Sequence, residues 1–338
     1  MNEWNEGEAT NSTILVNTSS ESTFRIMEAI GTSSRDGITV YRAERAEPFY
    51  RSPFVTIMYV DKDKDRAIFE NLKQQLYKTN RPYLTDNILK PWPTFFHNRY
   101  YCVAFSYMEH GSLLSLMAKR FSRGFPEKCI IFFLYRIIHD LSQIHQCSEV
   151  HGEVSAAHVF ISQQYWIRIR PMLAYAGSVH HLLEDEIRDS CSSYMPATSV
   201  CRWAEAPEKR SSSRADIWSV GITALELAYG GLRLKSRAEL ESLVKKMQRK
   251  NKLPKKLNDD DELEKKRPLS LSLPLPFQKK RITPTGFEHR HKERVFSKGF
   301  VDLVLSCLKF NPDKRPTADD LRRRKIFARA RAELDFLL

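Results

Sequence analysis

One apolar stretch, residues 215–230, constrains the fold of this chain more than any other part of the sequence. Its apolar side chains cover every side of a helical wheel, so a helix here must be surrounded by protein. They are Ile217, Trp218, Val220, Ile222, Ala224, Leu225, Leu227 and Ala228. The stretch is too short to cross a bilayer, and the carboxylates of Asp216 and Glu226 do not suit a lipid surround. The sequence therefore predicts a central buried helix.

The length of 338 residues predicts two packed lobes or domains with short tails. Residues 1–23 are polar and lack a basic start followed by an apolar run. They predict a disordered tail rather than a secretion signal, so we expect a cytoplasmic protein, with the nucleus as the alternative location. The six cysteines are far apart and form no CxxC pair, which favours reduced thiols.

The positive charge of the chain is concentrated in one segment. Of the net charge of +13, residues 233–298 contribute +11, from twenty Lys or Arg against nine Asp or Glu. Such an excess attracts polyanions, so nucleic acid, an anionic membrane leaflet and a nuclear import receptor are open alternatives. A basic polar insertion that is simply solvated is the favoured interpretation, and nucleic-acid binding is disfavoured.

The order of apolar segments predicts a small sheet followed by helices. A strand, a loop and a second strand are expected over residues 24–42. Further strands are expected at residues 55–60 and 100–107, and helices at 68–77, from 112 onwards, and at 126–145, 300–310 and 317–332. A mixed α+β fold follows from this order.

Five segments in this order resemble a protein kinase, and their sequences are close to those of the STE group, especially its SPAK-type branch and plant relatives. They are residues 107–117 (YMEHGSLLSLM), 151–161 (HGEVSAAHVFI), 206–208 (APE), 215–230 and 296–321. The resemblance implies an α+β bilobal kinase fold. Its small antiparallel-sheet N-lobe would span residues 24–105, and its larger, mainly helical C-lobe residues 106–330 with the basic insertion, before a tail at 331–338.

The resemblance also assigns three residues to the scaffold of the C-lobe. Asp216 is expected to accept hydrogen bonds from the backbone of the catalytic loop near His151. Glu208 of the APE segment is expected to form an ion pair with Arg315 of the later DKRPT segment. These residues match the family pattern.

The nucleotide pocket that the resemblance implies is degenerate. The family motif VAIK reads VTIM here, so the phosphate-binding Lys is replaced by Met58. Of the glycine-rich loop only Gly31 and Gly37 remain, and fewer glycines make it harder for backbone amides to approach a phosphate. The remaining pocket positions are Val40, Phe105, Tyr107 and Met108.

The catalytic loop departs from the family motif HRDVKxxN, because it reads HGEVSAAH. His151 is kept, Glu153 replaces the base Asp, and Ser155 replaces the Lys that neutralises the transferring phosphate. His158 replaces the Asn that binds magnesium, a cation that prefers oxygen ligands. A metal site is therefore not expected.

The second metal position and the activating acid are also altered. Counting on from the catalytic loop without gaps places the family DFG on residues 171–173, beginning with Pro171; a small insertion would move it to 175–177. Neither register contains an aspartate. The acid of the upper-lobe helix falls near Leu72, with Glu70 the nearest carboxylate.

Phosphoryl transfer depends on positioning and charge neutralisation, so these losses predict a pseudokinase similar to the STRAD type. We expect it to bind another protein kinase or a scaffold protein, with no membrane span, and to bind ATP weakly and without magnesium at most. The alternative is a divergent ATP-dependent serine/threonine kinase with Glu153 as base and a relocated cation, from Arg35, Lys62 or Lys64.

Overall fold

A computed structural model describes most of the chain. It covers residues 13–32, 38–46, 53–79, 88–108, 111–164, 168–174, 205–208, 212–232, 234, 236–257 and 294–330. At residues 32, 75, 77–79, 119, 162–164 and 168–174 only the backbone is described.

The first part of the chain forms a six-stranded antiparallel sheet with the order β1-β2-β3-β4-β7-β6. The strands are β1 (Ile14–Asn17), β2 (Ser22–Thr32), β3 (Thr39–Arg45), β4 (Phe54–Asp61), β6 (Phe95–His97) and β7 (Tyr100–Ser106). Helix α1 (Arg66–Thr79) follows β4. The predicted strands and the helix at residues 68–77 are thus confirmed.

Strand β1 corrects the prediction of a disordered tail over residues 1–23. Ile14 to Asn17 pair antiparallel with residues 22–25 of β2, and the Leu15 side chain is buried in the sheet core. At the other edge, the Val16 backbone N–H donates to Nδ1 of His97 over 3.2 Å. A polar composition concealed this strand because only three consecutive apolar residues, Ile14 to Val16, carry it. Residues 1–12 lie outside the described part.

The second part of the chain is mainly helical. Its helices are α2 (Leu113–Arg120), α3 (Glu127–Gln146), α4 (Ser213–Tyr229), α5 (Arg237–Lys250), α6 (Lys298–Cys307) and α7 (Ala318–Arg322). A three-stranded sheet, β5 (Ile88–Leu89), β9 (Arg168–Ala174) and β8 (Val159–Gln164), has β9 in the middle. Among the described residues, no helix has the length and apolar character needed to cross a membrane.

Helix α4 is the predicted central helix, and its burial is confirmed. Every residue from Asp216 to Tyr229 is buried except Ser219, and the helix packs in one apolar cluster with α3, α5 and α6. It ends at Gly230, whose φ of +72° is left-handed and whose added Cβ would lie 1.9 Å from the carbonyl oxygen of Ser122. Glycine is therefore required at this end of the helix.

Helix α5 corrects the interpretation of residues 233–298 as a solvated insertion from end to end. Leu240, Val244 and Met247 form a buried stripe along it, while Lys245, Lys246, Arg249 and Lys250 are exposed. The lysine-rich composition concealed an ordinary amphipathic helix. Residues 258–293 lie outside the described part, but the residues flanking them are close, because Arg294 N–H donates to the Lys255 carbonyl over 3.2 Å.

The helix expected over residues 317–332 is shorter than predicted. Thr317 and Asp320 form a capping box at the start of α7, but the helix ends at Arg322 and Arg324 is extended, with ψ of 146°. A 3₁₀ turn at Lys325–Phe327 follows and buries Phe327. The break in the helix thus goes together with the burial of Phe327 in the core.

Candidate functional site

Met58 lies in the middle of strand β4, opposite Val40 of β3 and Val103 of β7. It has 0% exposed surface and belongs to an apolar cluster with Val40 and Leu72. Leu72, on α1, occupies the position near which the resemblance implies the activating acid, whereas Glu70 points outwards and contacts Lys73 at 3.8 Å. An apolar pair thus stands where an ion pair would be needed.

The other predicted pocket residues lie around the same cluster. Phe105 and Met108 are buried members, and Tyr107 packs against it. Gly31 pairs with Val40 across β2 and β3. Gly37 lies outside the described residues.

Phe160 is a member of the same cluster that sequence reasoning missed. On β8, the side chains alternate, so Val159 and Ile161 pack in the cluster of the helical region while Phe160 packs in the cluster of Met58. Phe160 has 0% exposed surface. The alternation of strand side chains could have suggested the two faces, but no sequence signal gave their partners.

The catalytic loop is held by Asp216, which is 1% exposed. Its Oδ2 accepts from the His151 backbone N–H at 2.9 Å and its Oδ1 from that of Gly152 at 2.8 Å. His145 Nε2 lies 2.8 Å from Oδ2. The contact that the resemblance implies between Asp216 and the loop backbone is therefore present, and the buried carboxylate is satisfied by several partners.

Three of the replaced residues of the catalytic loop form a chain of contacts through His158. Ser155 Oγ lies 2.9 Å from His158 Nδ1, and His158 Nε2 lies 3.5 Å from Glu153 Oε2. His151 Nδ1 accepts from the Glu153 backbone N–H at 3.2 Å. The residues at the family positions of the base, the phosphate-neutralising Lys and the magnesium-binding Asn thus form one chain of polar contacts.

Glu226 of α4 lies beneath this loop and was not singled out as a site residue. Its carboxyl is 3% exposed and accepts from the Ala156 backbone N–H at 3.3 Å. Burial raises the pKa of Glu226 to about 7, and the hydrogen bond from Ala156 only partly offsets this. The neighbouring Thr223 hydroxyl donates to the Val154 carbonyl at 3.4 Å, so α4 contacts the loop at several points.

Glu208 and Arg315 form the ion pair that the resemblance implies. Arg315 donates from Nη1 to Oε1 at 2.7 Å and from Nη2 to Oε2 at 2.8 Å, which is the bidentate geometry of a strong pair. Burial acts to raise the pKa of Glu208, but the hydrogen bonds from Arg315 outweigh it and lower the pKa. The guanidinium also lies over the Trp218 ring, 5.2 Å from its centroid.

The positions expected to bind magnesium or to supply a substitute cation can be located in part. Pro171 lies within β9 opposite Ile161, and residues 175–177 lie outside the described part. No group of three His, Cys, Asp or Glu in the part of the chain that is described could hold a metal ion. Lys62 lies over the Phe96 ring at 5.6 Å, Lys64 is exposed in the turn after β4, and Arg35 is not described.

Comparison with known proteins decides the family, because the model of the protein kinase domain matches residues 54–327. The chain belongs to the protein kinase domain family. Within it, the chain is 26% identical to bovine STE20-related kinase adapter protein alpha over 319 residues, 90% of this chain and 83% of the relative. The human alpha protein is 25% identical and covers 90% of the chain, with 72% of its own length matched. Human STE20-related kinase adapter protein beta is 25% identical over 73% of the chain and 62% of the relative.

Among the described residues, those at the family's Lys and Asn positions do not fit ATP with magnesium. A triphosphate needs cations and amides, and the position of the phosphate-binding Lys carries a thioether without exposed surface, Met58. A magnesium ion needs oxygen ligands, and the position of the Asn ligand carries the imidazole of His158, which already contacts Ser155 and Glu153.

Proposed function

We propose that this chain is a pseudokinase that acts as an adapter, binding another protein kinase or a scaffold protein in signalling. In this proposal the six-stranded sheet and α1 form the N-lobe of a bilobal fold, and the helical part forms the C-lobe. The chain would belong to the STE group and act in the cytoplasm, with the nucleus as the alternative location. A kinase fold without kinase chemistry retains large surfaces for protein binding, and these would carry the function.

One observation carries the proposal: the catalytic-loop scaffold is kept while its chemical groups contact each other. Asp216 still fixes the loop backbone through His151 and Gly152. Glu153, Ser155 and His158 form a chain of contacts within the loop. Removing one preorganised charge stabiliser costs on the order of a hundredfold to a thousandfold in rate, and here several are replaced together.

The named relatives support the proposal from a second side. Three of them are called kinase adapter proteins, and two of these match 90% of this chain. The degenerate pocket supports the same role, because Met58 and His158 stand in place of the family's phosphate-binding Lys and magnesium-binding Asn.

The experiment that tests the absence of catalysis is a transfer assay with γ-labelled ATP and a mixed peptide acceptor, in magnesium and in manganese. The matched control is Glu153→Ala. We expect the two proteins to give the same background, because no group in the described site neutralises a transferring phosphate. Transfer by the natural chain that is lost in Glu153→Ala would support the divergent kinase instead.

The experiment that tests the adapter role measures the activity of purified serine/threonine kinases with and without this chain. We expect the activity of at least one kinase to change on adding the natural chain. The Glu153→Ala variant is expected to produce the same change, since binding does not use the catalytic loop chemistry. An effect that depends on Glu153 contradicts a purely adapter role.

A further inference from the structure

The apolar cluster around Met58 joins the two parts of the chain. Its buried members come from the six-stranded sheet with Ile38 before β3, from α1, from Leu89 of β5, from the segment after β7 up to Met108, and from Phe160. Phe160, on β8 directly after the catalytic loop, is the one described buried member from beyond residue 108. One aromatic ring of the helical part is thus packed into the core of the sheet part.

The same cluster contains the apolar side chains assigned to the nucleotide pocket. Val40 and Met58 have 0% exposed surface, as does Phe160. Phe105 and Met108 are buried and Tyr107 packs against them. Side chains that bind a nucleotide from an open cleft would expose part of their surface to it, whereas Val40, Met58 and Phe160 expose none.

The described members of this cluster include no cation for a phosphate. They are apolar apart from the rings of Tyr101 and Tyr107, and Leu72 is buried near the position of the activating acid. An ionised triphosphate placed here would lose its hydration without gaining a cation, which is strongly unfavourable. Its chemistry therefore suits an apolar ring and not a nucleotide phosphate.

We propose that Phe160 and Met58 fill, from within the chain, the space that a nucleotide occupies in an active kinase, and that this packing fixes the sheet against the helical part. The inference rests on the proposed function, since it concerns how an adapter keeps its shape. A chain built in this way presents its binding surfaces without ATP or magnesium. Its partner binding is then independent of nucleotide.

The test is the thermal midpoint of the natural chain and three variants, measured with adenine, with ATP, and with ATP plus magnesium. The natural chain is expected to shift by less than about 1 °C with each compound, because occupancy of a filled site is negligible. Phe160→Ala removes a buried ring and is expected to lower the midpoint by roughly 10 °C. Adenine at millimolar concentration is then expected to restore about 3 °C by entering the space.

The matched control is Phe300→Ala, which removes an equally buried ring from the helical core. It is expected to lose similar stability and to gain nothing from adenine. If Phe160→Ala does not fold, Phe160→Leu leaves a smaller space and is expected to show the same selective response with a smaller shift. The natural chain is measured in either case.

Three outcomes overturn the inference: a clear rise in the midpoint of the natural chain with ATP, no effect of adenine on both Phe160 variants, or an equal effect on Phe300→Ala. The outcomes separate it from the proposed function. Stabilisation by ATP without phosphate transfer overturns the inference and leaves the adapter proposal standing. A natural chain that ignores ATP but affects no kinase overturns the adapter proposal alone.

Discussion

Replacing Glu226 by Gln is expected to change how the stability of the protein depends on pH. The carboxyl is buried on α4 beneath the catalytic loop, with the Ala156 backbone N–H as its polar contact. Burial raises its pKa from the ordinary 4.5 to about 7. The folded protein therefore binds this proton more tightly than the unfolded chain does.

The direction and size of the effect follow from this difference in pKa. Well below pH 4.5 the carboxyl is protonated in both the folded and the unfolded state, so it does not change the free energy of unfolding with pH. As pH rises from there to 7, the unfolded chain ionises first, so stability falls until the folded carboxyl ionises as well. Each unit of pKa corresponds to 1.36 kcal/mol, so the full loss is about 3 kcal/mol, of which about 2 kcal/mol develops between pH 5 and pH 8.

The Gln variant keeps an oxygen that accepts from Ala156 but has no proton to lose. We therefore expect Glu226→Gln to gain about 2 kcal/mol of unfolding free energy relative to the natural chain between pH 5 and pH 8. The assay is urea unfolding at pH 5, 6, 7 and 8, compared at each pH. A difference between the two proteins that is constant over this range would refute the reasoning.

The matched control is the same substitution at Glu70, which is exposed on α1. Glu70→Gln also removes one carboxylate from a helix, but no buried group is involved. We expect its difference from the natural chain to stay nearly constant with pH. A slope equal to that of Glu226→Gln would show that the effect reflects net charge rather than burial.

Three further changes test the scaffold, the pocket and the insertion. Arg315→Ala leaves Glu208 without its bidentate partner and should cost about 3 kcal/mol in urea unfolding, with Arg315→Lys restoring only part of it; a loss below about 1 kcal/mol would contradict this. Met58→Lys places a charge in an apolar cluster and should lower stability by about 3 kcal/mol or more without creating ATP-dependent stabilisation, which a thermal shift with ATP would check. Replacing residues 258–292 by a six-residue Gly/Ser linker should keep the fold and add about 1.5 kcal/mol through the shorter closed loop, and a lower thermal midpoint would contradict it.

Sequence reasoning succeeded where a pattern is local and strong. The all-round apolar stretch predicted α4, and alternating or periodic segments predicted β4, β7 and α3 close to their bounds. The element order and five motifs predicted a kinase fold, and the match of the kinase domain model to residues 54–327 shows that family. Met58 could be placed on a buried strand because its neighbours are apolar.

Sequence reasoning failed where the partner of a segment decides its structure. The short strand β1 is held by antiparallel pairing with β2 and by the hydrogen bond from the Val16 backbone N–H to His97. The polar sequence around β1 gave no sign of these partners. Helix α5 was concealed by its lysines, although the spacing of Leu240, Val244 and Met247 could have suggested it. Periodicity indicates that one face of a helix is buried, but it does not indicate which residues cover that face.

The sequence by itself determined that residues the kinase family uses for phosphoryl transfer are replaced, because the identities of Met58, Glu153, Ser155 and His158 are read directly from it. Only the tertiary structure decided what the replacing residues contact. The pKa of Glu226, the contacts from Ser155 through His158 to Glu153, and the insertion of Phe160 into the sheet core all depend on groups brought together by folding. Burial and contact between distant residues set these properties, and neither can be read from the order of residues alone.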